Sequence, residues 1–448
     1  MPEAPLSKGL PLLGNMLDLM FNPLQGLLEL CRNNGPIFRF RALTEEFVVM
    51  AGTDVNRFLS EEGKDCVYSG EFWKDLVAYW HNPNALIALD GQPHIDERRQ
   101  WKHYVSREVA HNEQQGLIKA IEDYTHTLAN DQPISARRFS RTLVTRELSF
   151  LFTGKVIKLS PKLGDAIIDY QRVLFNTLLA RKYPRFILHL PWFRNNEKQV
   201  NAFARQLIEQ TRNNKTESDT FYHWALRRVT EDKERNEAEL IATFLTPFIA
   251  GLDTVANTLL FLIREITENP ALYQRLQKEI DDEFRHNDGL ISSPDTLRKV
   301  PALFGIIQET LRRYPVAFAN MRHARCDFEY KGCTVKKGSQ ILFFTAQPHF
   351  DERYFSQPER FDIDRFLPPR SEQKTRYAFS PYGRGPHICL GAAMAESLLL
   401  TSVAYLLHHF HFNAVEPGKK FKYLFDPSLS LPDSFKIRLK PRRTGQCS

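Results

Sequence analysis

The feature that most limits the fold of this chain is a segment with no periodicity. Between about residues 347 and 388 the sequence is rich in Pro, Asp, Arg and aromatic residues, and follows neither the repeat of a helix nor the alternation of a strand. A long irregular segment inside a compact fold is usually functional. This one ends in YGRGPHICLG, residues 382–391, which sets Cys389 among three glycines, Arg384 and His387, directly before the helix-favouring AAMAESLLL. The fold therefore has to deliver one cysteine, on an irregular arm, to the mouth of a helix. At such a mouth free N–H groups and the helix dipole stabilise a thiolate, and glycines let the backbone approach a flat partner closely.

Several roles for Cys389 are testable against the rest of the chain. Six cysteines (Cys31, Cys66, Cys326, Cys333, Cys389, Cys447) are few and irregularly spaced among 448 residues, unlike a secreted disulfide framework, so a reducing, cytoplasmic compartment is expected. Zinc would need more ligands at short spacing, yet only His387 is near, and Cys326 and Cys333 are separated by six residues. The HHFH run at 408–411 lies in a helical pattern and reads as surface or partly buried histidines. A phosphate-cradling loop would continue with Lys-Ser or Lys-Thr, which GRGPHICLGAA does not. A nucleophile needs a base and an orienting partner, which sequence alone leaves open. A thiolate in a glycine-lined loop suits a flat, iron-bearing cofactor.

Helical periodicity covers 97–127, 197–229, 237–267 and 272–285, and helix-favouring sequence fills 302–313 and 390–411. Strand-like pieces are short: IFRFRA and FVVMAG near 37–52, FEYKGCTV and SQILFFTA across 328–346, and FKIRLKP near the end. The expected fold class is mainly α with a small β lobe (α+β), as one domain over 1–448, since no repeat or linker divides the chain. The N-terminal GLPLLGNMLDLMF is interrupted by Pro11, Gly14, Asn15 and Asp18 and lacks a basic start, so neither a transmembrane anchor nor a signal peptide is expected. Sixty basic and 53 acidic residues give a net charge of +7, but the charges are mixed. That argues against nucleic acid and fits a modest basic face for an acidic partner protein.

Within 237–267, Pro247, Ala250, Gly251 and Thr254 fall at i, i+3, i+4 and i+7, which makes one face of the helix small. Thr254 can hydrogen-bond a carbonyl one turn back. Pro247 removes one N–H bond and predicts a kink just before AGLDT, residues 250–254. In ETLRRYP, Glu309 and Arg312 stand one helical turn apart, and PERF supplies Arg360. In DGQPHIDERRQW, His94 and Arg98 are four apart.

Taken in order, these motifs resemble those of the cytochrome P-450 family, the haem-thiolate monooxygenases, over almost the whole chain. The family's loop, aromatic-x-x-Gly-x-(Arg/His)-x-Cys-x-Gly, is matched by Tyr382, Gly385, His387, Cys389 and Gly391, with Tyr382 in place of the usual Phe. The resemblance implies a triangular helical body with minor sheets, haem b as cofactor, and Cys389 as axial ligand of its iron. It implies a structural ionic triad of Glu309, Arg312 and Arg360, a haem-facing pair Ala250 and Gly251, and proton delivery by Asp253 and Thr254. His94, Arg98, Arg322 and His387 would meet the two propionates. Pocket walls by the same analogy are Phe72, Trp73, Leu86, Phe244, Phe248, Val316, Ala317 and Phe318, with residues in the 173–190 region.

The implied activity is insertion of one oxygen atom from O2 into a hydrophobic small molecule, such as a terpenoid, steroid, fatty acyl chain or polyketide-like macrocycle. Electrons would come from a separate ferredoxin- or flavodoxin-type partner, drawn to charges such as Arg99, Lys102 and Arg384, and the protein would be a monomer. Peroxide-using or rearranging members, and a haem-thiolate sensor, are the alternatives; Asp253 and Thr254 argue for the oxygen-activating route.

Overall fold

A computed structural model describes residues 1–128, 131–155, 162–213, 220–231, 236–425 and 428–442. Two helices, α1 (Met16–Met20) and α2 (Pro23–Asn34), lead into a hairpin of β1 (Ile37–Ala42) and β2 (Glu45–Ala51). After α3 (Thr53–Ser60), the two-residue strand β3 (Val67–Tyr68) precedes α4 (Gly70–Tyr79). The expected helix over 97–127 is three: α5 (Gly91–Tyr104), α6 (Arg107–Asn112) and α7 (Gln114–Thr125). Val105 leaves helical geometry, and the Ser106 hydroxyl accepts the Val109 N–H at 3.3 Å to start the next helix. An apolar pattern that continues across a serine cap conceals such a break.

The strand β4 (Ile134–Ser135) runs into α8 (Ala136–Thr153), a helix the periodicity did not single out. Then come α9 (Leu163–Leu174), α10 (Pro191–Asn213) and α11 (Phe221–Glu231). Helix α12 (Glu237–Glu268) is capped by Asn236, whose side chain accepts the Glu239 N–H at 2.9 Å. It runs on as one helix through Pro247; in the same turn the Tyr222 hydroxyl donates to the Phe244 carbonyl at 2.8 Å. Length and apolarity alone would let α12 cross a membrane, but 78% of its most apolar window is buried inside the protein, where it is the core helix.

Helices α13 (Pro270–His286), α14 (Pro294–Leu297) and α15 (Pro301–Arg313) each open on a proline, whose fixed φ suits the first helical position. Four strands follow: β5 (Asn320–Ala324), β6 (Phe328–Tyr330), β7 (Cys333–Val335) and β8 (Gln340–Phe344). After the irregular arm, α16 (Ala392–His409) gives way at Phe410 to β9 (Phe410–Ala414), so the HHFH run straddles a helix end and a strand. The chain closes with β10 (Leu424–Phe425), β11 (Leu429–Ser430) and β12 (Lys436–Pro441). The main sheet has the order β1-β2-β8-β5-β3, with only β2 and β8 parallel; β4-β12-β9 form a second, antiparallel sheet. The fold is mainly helical with small sheets, and its largest apolar cluster joins α8, α12, α15 and α16.

What fixes the irregular arm is a buried ionic cluster. The Glu309 carboxylate, fully inaccessible, accepts from Arg312 Nε at 2.7 Å, Arg312 Nη2 at 2.9 Å, Arg365 Nε at 3.1 Å and the Asp362 N–H at 2.9 Å. The third member is thus Arg365, not Arg360. The Arg360 side chain is exposed, and only its carbonyl enters the cluster, accepting from Arg365 at 3.0 Å. Arg312 also donates to the carbonyls of His349 and Pro358, at 2.6 and 2.7 Å, and Arg365 to that of Ser356 at 2.8 Å. Two side chains thereby satisfy the backbone of a segment that has no ladder of its own.

A second buried carboxyl has no cation beside it among the described residues. Glu147 on α8 is 1% exposed and, among the described residues, accepts only the Ser402 hydroxyl of α16, its other oxygen having no partner. Burial pushes its pKa from 4.5 up to about 8.

Two outcomes are expected. Arg365→Ala, which leaves Glu309 short of a partner in the interior, should cost roughly 3–5 kcal/mol, whereas Arg360→Ala should stay within about 0.5 kcal/mol, measured by denaturant unfolding. Because Glu147 holds its proton longer when folded, wild-type stability should fall as pH rises from about 4.5 to about 8 relative to Glu147→Gln, which lacks that slope; thermal midpoints across this range check it.

Candidate active site

The arm hands Cys389 over through a tight loop. The Cys389 N–H donates to the Tyr382 carbonyl at 2.9 Å and the Ile388 N–H to that of Gly385 at 3.0 Å. Gly385 has φ +80°, and a Cβ there would lie 2.4 Å from the Leu59 carbonyl oxygen, so no other residue fits. Gly391 is different: its φ is an ordinary −83°, and a Cβ would meet only Val105 at 3.6 Å. The Tyr382 hydroxyl is buried without a partner among the described residues, so it neither reaches solvent nor bonds beside the sulfur.

The Cys389 thiol receives backbone N–H donation from Gly391 and Ala392 at the mouth of α16, and Arg98 lies nearby. Burial outweighs these three and raises its pKa above the ordinary thiol value. Such a thiol is not poised as a free nucleophile; it suits a metal that takes the proton's place. The residue is enclosed by protein, yet it retains accessible surface.

A second unexplained opening lies on α12. Ala250 is exposed and Gly251 and Thr254 half-exposed, between the buried Pro247, Phe248, Leu252, Asp253 and Val255. The Thr254 hydroxyl donates to the Ala250 carbonyl at 3.1 Å or that of Gly251 at 3.2 Å, the bond one turn back expected from its position. Asp253 does not share this face. Its carboxylate, 2% exposed, accepts the Ser428 hydroxyl at 2.5 Å and lies 3.8 Å from the Arg141 guanidinium. Ser428 in turn accepts from Asn257 Nδ2 at 2.9 Å, so the end of the chain is tied to this helix.

His94, Arg98, Arg322 and His387, from α5, β5 and the cysteine loop, form one cluster. The rings of His94 and His387 stand 4.1 Å apart. Burial, with His387 and Arg98 beside it, holds His94 down to about 4, and it is neutral at pH 7. Burial lowers Arg322 to about 10, opposed by Asp90. Asp90 was not foreseen. It accepts from the Ser69 and Gly70 N–H groups at 2.9 Å and lies 3.2 Å from His387 Nε2, while making no capping bond to its own helix α5. Its sequence signal was only that of an N-cap, Asp before a helical Gly. His349 was also missed: its Nε2 accepts the Ser380 N–H at 2.9 Å, and burial with Arg312 nearby holds its pKa down to about 3.

Two expected pocket residues belong to the core. Phe244 and Phe248 are wholly inaccessible, the first stacked on Tyr222 at 4.1 Å and the second edge-on to Phe203 at 5.1 Å. Phe72, Trp73, Leu86 and Val316 are half-buried and Ala317 exposed, while half-buried Phe318 packs on Phe344 and Phe425. Trp73 packs on Phe175, within the 173–190 region. Of the outer charges, Arg99 and Lys102 are exposed, but Arg384 turns inward, donating to Ser380 Oγ at 2.8 Å and the Phe379 carbonyl at 2.6 Å.

The sequence profile of the family described as Cytochrome P450 matches residues 4–437. Cytochrome P450 4c21 of Blattella germanica is 27% identical over 282 residues, 58% of this chain and 55% of its own length, so the match spans about half of that relative. Putative cytochrome P450 136 of Mycobacterium tuberculosis is 25% identical over 97% of this chain and 88% of its own length. The structure of a retinoic acid bound cyanobacterial CYP120A1 superposes with a TM-score of 0.81 at 21% identity, covering 99% of this chain and 100% of that one, a likeness of fold. Family members bind haem, and the residues present fit it: a thiol that is enclosed by protein yet keeps accessible surface, a glycine at 391 where a Cβ would meet only Val105, and four cationic or donor side chains beside the carboxylate of Asp90. On these grounds the chain belongs to the cytochrome P450 family.

Proposed function

We propose that the protein is a single haem domain acting as a haem-thiolate monooxygenase, which places one oxygen atom of O2 in an apolar small molecule. The observation that carries this reading is a buried cysteine at a helix mouth, presented alongside a long core helix that opens at Ala250, Gly251 and Thr254 between buried neighbours. Haem held at Cys389 would supply the oxygen and electron chemistry. The chain's residues do the rest. Arg98, Arg322, His94 and His387 hold the propionates by charge and hydrogen bonding. Ala250 and Gly251 give a flat group room against α12, and Thr254 keeps a proton at its Oγ1 on that open face. Asp253, one residue before it and bonded to Ser428, is the next group in the relay. Half-buried Phe72 and Trp73 on α4, with Leu86 and Val316, make an apolar wall suited to a terpenoid, steroid, fatty acyl or polyketide-like substrate.

Electrons come from a separate ferredoxin- or flavodoxin-type protein, with exposed Arg99 and Lys102 on the docking face, and the protein works as a monomer. Five free thiols among the described residues suit the cytoplasm.

Cys389→Ala should lose the thiolate-haem Soret band of the reduced, carbon monoxide-treated protein; its retention would sink the assignment. With a surrogate ferredoxin system, Thr254→Ala should keep consuming electrons while forming product about 10²-fold more slowly, on the scale of a lost proton-transfer group. Product formation that needs only hydrogen peroxide and is indifferent to Thr254→Ala would overturn the oxygen-activating reading.

A further inference from the structure

Cys66 and Cys326 are far apart in sequence and side by side in the fold. Strand β3 pairs with β5 through Val67 with Ala324 and Tyr68 with His323. One residue beyond this ladder the Arg325 N–H donates to the Cys66 carbonyl at 2.8 Å, which holds both backbones together where the cysteines lie. The chain bends at Arg325 and Cys326, which releases Cys326 from the alternation of the strand, and its thiol comes within hydrogen-bonding reach of the Cys66 thiol. Cys326 is exposed and Cys66 half-buried.

We propose that Cys66 and Cys326 form a thiol pair that closes reversibly to a disulfide by exchange with a small-molecule disulfide such as oxidised glutathione. Exposed Cys326 reacts first: its thiolate attacks one sulfur of the small disulfide, forms a mixed disulfide and releases one small thiol. The Cys66 sulfur then attacks Cys326 Sγ, forms the protein disulfide and releases the second small thiol. Two protein thiols are oxidised, one small disulfide is reduced to two thiols, and the protons pass to those products. The other described cysteines differ. Cys31 is an isolated thiol pushed by burial up to about 12, Cys389 is enclosed in the active site, and Cys333 is half-buried. Burial, then the neighbouring Cys326, and last the acidic Asp65 and Glu62 raise the Cys66 thiol above its ordinary value, which makes it the resolving partner and not the attacking one.

The place of the bond gives it a use. Strand β5 carries Arg322, and β3 leads directly to Ser69 and Gly70, whose N–H groups hold Asp90. The two-residue pairing of β3 is the narrow edge of the main sheet. A covalent link there fastens both sides of the cationic cluster against fraying.

The test uses the haem-loaded protein incubated with oxidised glutathione, alkylated, digested and mapped by mass spectrometry. Expected are a Cys66–Cys326 cross-linked peptide, loss of two alkylatable thiols, reversal by dithiothreitol, and a higher thermal midpoint than the reduced protein. Cys66→Ser should accumulate the glutathione adduct on Cys326, and Cys326→Ser should leave Cys66 alkylatable. Alkylation of both cysteines in the wild type, or a glutathione adduct persisting there on Cys326, would overturn the pair; complete cross-linking with an unchanged midpoint would overturn its fastening role. Wild-type mapping decides the chemistry even where a variant fails to fold.

Discussion

A carboxylate in the interior is tolerated only when donors surround it, and Glu309 shows how much structure can hang on one such group. Four N–H donors, from Arg312, Arg365 and the backbone of Asp362, converge on its two oxygens. The outer sides of the same guanidiniums collect carbonyls at His349, Pro358, Arg360 and Ser356. His349 continues the chain of support by accepting the Ser380 N–H, two residues before Tyr382. The position of Cys389 is therefore inherited, bond by bond, from a charge buried on α15. Between residues 347 and 388 the arm has only short 3-10 turns, at Gln347–Phe350, Ile363–Phe366 and Glu372–Lys374, so the ionic cluster stands in for longer secondary structure.

The site balances opposing costs. At Cys389, burial works against the thiolate that the helix mouth and Arg98 favour. In the adjoining cluster, His94 gives up its charge because burial, His387 and Arg98 all disfavour it. The result is a region short of negative charge, in which Asp90 is the carboxylate that acts on His94. Such a region receives a dianionic group at low cost, because the cations are already desolvated before it arrives.

Much of this was legible in the sequence, and what was lost has identifiable causes. Strand IFRFRA and the helices near 237–267, 272–285 and 302–313 came through because their periods are long or strict. The break at Ser106 was hidden under a continuing apolar pattern, and the strand β5 that presents Arg322 has no alternation to read. The triad arginine was misplaced because PERF and DRF offer two arginines five residues apart, each followed by Phe, and only tertiary packing decides which turns inward. Phe244 and Phe248 lie near the small face in sequence, but 3.6-residue geometry points them into Tyr222 and Phe203. Asp253 and Thr254 are neighbours in the chain, and for the same reason face different surroundings. Asp90 was invisible because nothing in sequence says that a capping residue will desert its own helix.

That desertion has a mechanical consequence. By accepting from Ser69 and Gly70, Asp90 fixes the start of α4, the helix that carries Phe72 and Trp73, and by meeting His387 it touches the loop of Cys389. The wall that would sense a substrate and the loop that positions the sulfur are thus pinned to one carboxylate. Reshaping that wall, by selection or by design, is not a local operation: a change that displaces the first turn of α4 tugs on the imidazole two residues from Cys389. Specificity and cofactor geometry share an anchor, and the protein can alter the first freely only where its side chains move without their backbone.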